Sequence, residues 1–173
     1  MSVTPGLDAD EVLVPVTGAI YSTTNGTLPT SATESLGEGW VGHGYAFKDD
    51  GVEVNPRDGA TEKEIRAFQN DALLARIFRG GKLTAALTLV QVNAANVGLY
   101  FNDTPDASGK VRVRPNLPPD RRKWVIDIIS DDRVIRHVIP SGEATPSGPQ
   151  RYLNDTQVGF PITITGFEDA DVV

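Results

Sequence analysis

The 173-residue sequence has no cysteine. Disulfides, thiolate metal sites and a cysteine nucleophile are therefore excluded, and stability has to come from packing and strand pairing. Histidine occurs only twice, at His43 and His137, far apart and without spaced carboxylate companions. A solvated or hydrogen-bonded structural role is expected for each, in place of metal binding or general-base work. There is no Gly-x-Ser-x-Gly elbow to present a nucleophile. Gly37, Gly39, Gly42 and Gly44 lack the helix and the lysine-serine pair that make a phosphate loop. No catalytic, metal or cofactor site is expected. Positive charge is also short: 16 basic against 23 acidic side chains leave a formal net charge of -7, which disfavours attraction to nucleic acid or an anionic membrane. No apolar run approaches the roughly 20 residues of a membrane helix, and no basic, then apolar, leader opens the sequence. The expectation is a soluble, unprocessed chain.

What the chain does have is turn-forming residues, 17 glycines and 12 prolines, on an ordinary hydrophobic content of 39%. That balance suits one β-rich domain, placed at residues 14–165 between an acidic amino-terminal arm (1–13) and an acidic carboxy-terminal arm (166–173). VPVTGAIYS, residues 14–22, is rich in β-branched and aromatic residues and reads as the first core strand, followed by the Asn25-Gly26 turn. Residues 41–47 and 52–54 flank Asp49-Asp50-Gly51, the pattern of a type I′ hairpin; a calcium loop would need a fuller ladder of oxygen ligands. Residues 60–78 are ambiguous. Thr61 with Glu64 makes a capping-box pattern and Ile65, Phe68, Ala72 and Ala75 a helical stripe, while a strand or a loop stays open.

KLTAALTLVQVN, from Lys82, reads as a strand covered on both faces, and AANVGLYF as a short helix laid on the sheet. Strands are expected at residues 110–114, 123–130 and 133–139, the last two joined at Asp131-Asp132, with PSGEATPSGPQ as a surface loop. The cleanest alternation closes the domain: Val158, Phe160, Ile162 and Ile164 share one face. Arg114, Arg121, Arg122 and Lys123 beside Trp124 form the densest basic patch, at a proline-flanked loop-to-strand junction. Such charges more often pair with a neighbouring subunit's carboxylates or face water than read a nucleic acid.

The order GAIYSTTNGTLPTSATES, EGWVGHGYAFKDDGVEV, TEKEIRAFQND and LTAALTLVQVNAANVGLYF resembles the major tail tube proteins of long, flexible-tailed bacteriophages. Leu28-Pro29-Thr30, Gly44-Tyr45, Asp50-Gly51 and residues 93–101 carry the match, which covers about residues 16–102; Gln91 stands where a glutamate is often found. The resemblance implies a mainly β fold, an antiparallel sandwich or partly closed barrel with one short flanking helix. It also implies a non-enzymatic virion protein whose copies form rings, usually hexameric, that stack into a conduit for genome ejection. DNA would pass without specific binding, helped by repulsion from lumenal carboxylates. The other implied partners are the tape measure, tail terminator and distal tail proteins, with synthesis in the host cytoplasm.

Subunit contacts are then expected at Trp40, Tyr45 and Phe47, at Ile65 and Phe68 within a long inter-subunit connection over residues 49–79, and at Arg121, Arg122 and Trp124. A tail terminator or capsid decoration protein, and a β-sandwich glycan-binding module, are the alternative readings.

Overall fold

A computed structural model describes residues 13–130, 133–152, 154, 158–167 and 171–172. It is mostly β, with antiparallel sheets, one helix and no closed barrel, a β-sandwich-like fold. In chain order the strands are β1 (Thr17–Thr23), β2 (Val41–Gly42), β3 (Val52–Asp58), β4 (Thr61–Arg66), β5 (Leu73–Arg79) and β6 (Lys82–Leu89). The helix α1 (Ala94–Phe101) comes next, then β7 (Arg121–Ile129), β8 (Val134–Pro146), β9 (Phe160–Gly166) and β10 (Asp171–Val172).

The main sheet runs β2-β1-β7-β8-β9-β6-β3. Its pivot is β8, whose first part pairs with β7 and whose last residues, from Gly142, pair with β9. A side chain at Gly142 would lie 3.2 Å from both the Thr165 carbonyl and the Trp124 ring, so the absent Cβ is what lets the strand pass close to Trp124. Ile20, Trp124, Ile126 and Ile139 meet Leu87, Leu89, Phe160, Ile162 and Ile164, with Leu99 of α1 packed against them. Burying each of these side chains contributes on the order of 1.5–3 kcal/mol. The alternation expected at residues 158–164 is realised in β9, where Phe160, Ile162 and Ile164 are all buried. The helix also forms where expected: the Asn93 side chain accepts from the Asn96 amide at its start, and Asn102 ends it in the left-handed conformation, φ 53°.

A short segment runs from β1 to β6. β2 pairs with β1, and the His43 amide donates to the Ile20 carbonyl at 2.8 Å. Beyond Gly44 the chain changes partner: Tyr45 accepts from the Val90 amide, Ala46 bridges Leu89, and the Phe47 amide donates to the Thr88 carbonyl. Gly44 sits at the switch with φ 76°, and a Cβ there would overlap the Gln91 side chain. Only glycine fits both demands.

Three local expectations need correction, and one open reading is resolved. Residues 41–47 and 52–54 do not pair as a hairpin. Ala46 and Val52 both face β6, at Leu89 and Leu87, so residues 48–51 are looped out of one interrupted strand. The edge of β6 offers partners to both flanks, and the bond from Thr88 Oγ1 to Asp50 holds the loop down at 2.8 Å. Residues 60–78 resolve as the antiparallel pair β4–β5, turned at residues 67–72, where the Ala67 amide donates to the Ala72 carbonyl. Strand geometry puts Glu62 and Glu64 on one face, within reach of Arg76 across the ladder. Residues 110–114 form no strand. Val113 is exposed there, and nearby Asn102 bonds the Leu117 and Pro118 carbonyls. The loop expected from Pro140 is strand as far as Pro146. Pro140 falls where the β7–β8 register shifts between Trp124 and Arg122, so its missing amide leaves no ladder bond unmade. Gly166 ends β9, and β10 pairs with β8. The expected arm over residues 1–13 lies, apart from Leu13, outside the described residues, as does the Asp131-Asp132 reversal.

Candidate assembly surface and buried seam

Two exposed apolar features stand at the two ends of β3. At its Val52 end a groove of about 600 Å³ is lined by Val16, Ile20, Tyr45, Phe47, Val52 and Ile128 among others. Tyr45 is 66% exposed, although its backbone is held in the ladder with β6. Past the Asp58 end the β4–β5 hairpin leaves the sheet between Gly59 and Gly80, both at positive φ. Every residue of β4 is exposed, and Phe68 at the turn is 100% exposed. Ile65, Leu73, Leu74 and Phe78 add apolar surface, while Arg66 and Arg76 pair with Glu62, Glu64 and Asp71 within the hairpin. At its base the Arg57 guanidinium lies over the Phe78 ring, 5.6 Å from the centroid. Two strands without a covered face are marginal in water. Large exposed rings at such a place mark a contact surface.

Of the residues expected at subunit contacts, Tyr45 and Phe47 share the groove, and Ile65 and Phe68 share the hairpin. Trp40 lies between the two classes, half-buried, with its indole N–H donating to the Thr27 carbonyl at 3.2 Å. Trp124 belongs to the interior. It has no accessible surface, stacks on His43 at 5.5 Å and donates to the Gly142 carbonyl. A ring with no accessible surface has none to offer a neighbour.

The basic run next to Trp124 does not gather into a patch. Arg121 bonds Glu143 and lies over the Phe167 ring, Arg122 is 3.9 Å from Asp120, Lys123 donates to the Gly26 carbonyl, and Arg114 pairs with Asp103. Each cation has a partner within the chain, and the run is not gathered into one array for phosphates.

Two buried polar constellations escape a linear reading. Arg136 on β8 makes a two-pronged pair with Asp127 on β7, at 2.7 and 2.8 Å, and its remaining nitrogen donates to the Ser31 and Glu34 carbonyls. The loop over residues 24–40 is thus held on the outer face of the sheet. Within it the Thr30 amide and hydroxyl donate to Glu34 and hold its carboxyl below the ordinary range. One signal was available: WVIDII and VIRHVI each carry a single charge of opposite sign amid apolar residues, on either side of one reversal.

The second constellation joins Ser22, His43 and Asn96. Ser22 Oγ is 2.8 Å from His43 Nε2, and His43 Nδ1 is 2.7 Å from Asn96 Oδ1. Asn96 Nδ2 donates to the carbonyls of His43 and Gln91. The order of groups resembles a nucleophile-base-orienter relay, but none of the three side chains has accessible surface. No substrate carbonyl can approach Ser22 there; the arrangement locks the seam where residues 41–47 change strands. Burial, the largest influence, and the nearby Arg122 push the His43 pKa below its ordinary value, while the Asn96 bond opposes them. No signal in the sequence links positions separated by 53 residues.

Among the described residues no cluster of histidine and carboxylate side chains could hold a metal ion, and no helix is long and apolar enough to cross a membrane. No curated relative matches the chain. A family profile described as phage tail tube protein matches residues 5–172, nearly the whole length, and the chain belongs to that family.

Proposed function

We propose that this structural protein of the phage tail polymerises through the β4–β5 hairpin of one copy and an apolar surface of the next, building stacked rings around an open lumen. The observation that carries the reading is a fully exposed Phe68 at the turn of a hairpin in which every residue of β4 is exposed. The groove beside Tyr45 and Phe47, at the opposite end of β3, is the surface we assign to receive it. Unlike ends that engage head to tail give rings where the rotation closes and open stacks where it does not.

Residues 49–79 are then the inter-subunit connection. Arg121 and Arg122, at the start of β7, are further contact candidates. Hexameric rings of a long, flexible tail are the expected form, built after synthesis in the host cytoplasm. The tape measure protein would fill the lumen before ejection, and the terminator and distal tail proteins would cap the two ends. Each copy brings a formal charge of -7. Carboxylates turned toward the lumen would repel DNA phosphates, so the genome passes without being held.

Electron microscopy of the concentrated protein tests this. Open-ended tubes of repeating rings are expected. Single closed rings would point to a terminator-like role, and a persistent monomer would overturn the proposal.

A further inference from the structure

The Ser22–His43–Asn96 chain has a directionality that its neighbours impose. Asn96 Nδ2 is committed to two carbonyls, of His43 and of Gln91, so its oxygen must face His43 Nδ1. The proton of the neutral imidazole therefore sits on Nδ1, and the bare lone pair on Nε2 is filled by the Ser22 hydroxyl. We propose that this chain is an acid-operated latch: with His43 neutral it clamps residues 41–47 between β1, β6 and α1, and a proton on Nε2 releases them.

The consequence of that proton follows from what surrounds it. With Nε2 now a donor, Ser22 Oγ must turn to accept, and the hydroxyl hydrogen is left to find an acceptor where no water reaches. The new cation meets Ser22 from β1, Asn96 from α1, and from β7 the Trp124 ring face and the cationic Arg122. Only the Trp124 face and the Asn96 bond favour the charge. Among the described residues no carboxylate hydrogen-bonds or ion-pairs with His43, and burial with Arg122 opposes the proton. The segment thus held carries Tyr45, Ala46 and Phe47, a wall of the apolar groove. Opening the latch deforms the surface on which the next copy is proposed to dock, so the effect on assembly rests on the tube reading. The latch itself does not.

Hydrogen exchange on the full unassembled chain, compared at about pH 7.5 and about pH 5 after correction for intrinsic rates, reads the opening directly. Protection in peptides covering residues 41–47 and 91–97 should fall at the lower pH roughly ten-fold or more beyond any fall in peptides of β7 and β8. His43→Gln should remove the difference and His137→Gln should keep it. Should the first variant not fold, nitrogen-15 histidine spectra of the unaltered chain serve instead: a bare Nε2 at neutral pH, and a His43 titration that coincides with the local opening, are expected. Equal protection at both pH values, or an opening that follows His137, overturns the latch. Tubes that form normally while protection never changes would sink the latch and leave the tube reading standing; acid opening in a chain that never polymerises would do the opposite.

Discussion

Asp127 and Arg136 face each other across β7 and β8 as directly paired residues, joined by two hydrogen bonds of 2.7 and 2.8 Å with side chains only 7% exposed. The pair does more than cancel charge. The third guanidinium nitrogen holds the Ser31 and Glu34 carbonyls, so one cross-strand contact fixes a loop more than a hundred positions away in sequence.

Removing one partner should therefore be costly in two ways. Asp127→Asn leaves a buried guanidinium without its counter-charge, and a loss of about 3–5 kcal/mol is expected, read as a lower urea midpoint. Arg136→Met should cost a similar amount and also free residues 24–40, which limited proteolysis would detect as new cleavage there. If Arg136→Met leaves that loop as resistant as before, the pinning role is wrong.

Gly44 gives a sharper backbone test. Gly44→Ala forces a side chain into φ 76° and into the Gln91 amide, and a loss of roughly 2 kcal/mol or more is expected from strain and overlap together. Gly51→Ala has the strain, at φ 62°, but open space around it, so it should cost only about 1 kcal/mol. Equal urea midpoints for the two variants would deny Gly44 its part in the strand switch.

How far these features could be read in advance depends on how local their causes are. The helix was legible because the apolar spacing of residues 94–101 lies within one short window. β9 was legible because its alternation is uninterrupted. Residues 60–78 were not, because Thr61 and Glu64 satisfy a helical cap on their own, whereas Arg76 opposite Glu62 and Glu64 exists only once the ladder has formed. Trp124 was misplaced by its neighbours: next to Lys123 it looked exposed, yet adjacent strand residues point to opposite faces. Of the expected contact residues, Tyr45, Phe47, Ile65 and Phe68 lie at exposed or groove positions. The Ser22–His43–Asn96 seam needs three distant segments and leaves no such trace.

Phe68 separates folding from assembly. It makes no protected contact in the single chain, so Phe68→Ser should change the urea midpoint by no more than about 0.5 kcal/mol. If Phe68 seats in a neighbouring copy, the same change should weaken polymerisation by about 2 kcal/mol, roughly thirty-fold in the concentration needed for tubes. Sedimentation across a concentration series provides the measurement. Unaltered polymerisation would remove the hairpin turn from the interface.

Acid should weaken the fold itself, through both histidines. Burial holds the pKa of His43 and of His137 below the ordinary 6.5. The unfolded chain therefore binds protons that the folded chain refuses, and stability rises with pH across that window. Read downward, stability is complete above about pH 6.5 and is lost as pH falls from there toward each folded-state pKa, at up to about 1.4 kcal/mol per pH unit for each histidine. Urea midpoints of the unassembled chain from pH 7.5 down to about pH 5 would trace the decline, and His43→Gln should flatten its own share. Carboxylates add a fall of their own only at lower pH, as Glu34 and Asp106, both held below the ordinary carboxylate range by hydrogen bonds, take up protons. A midpoint that stays constant through the histidine range in the unaltered chain would mean that neither imidazole is kept neutral by the fold.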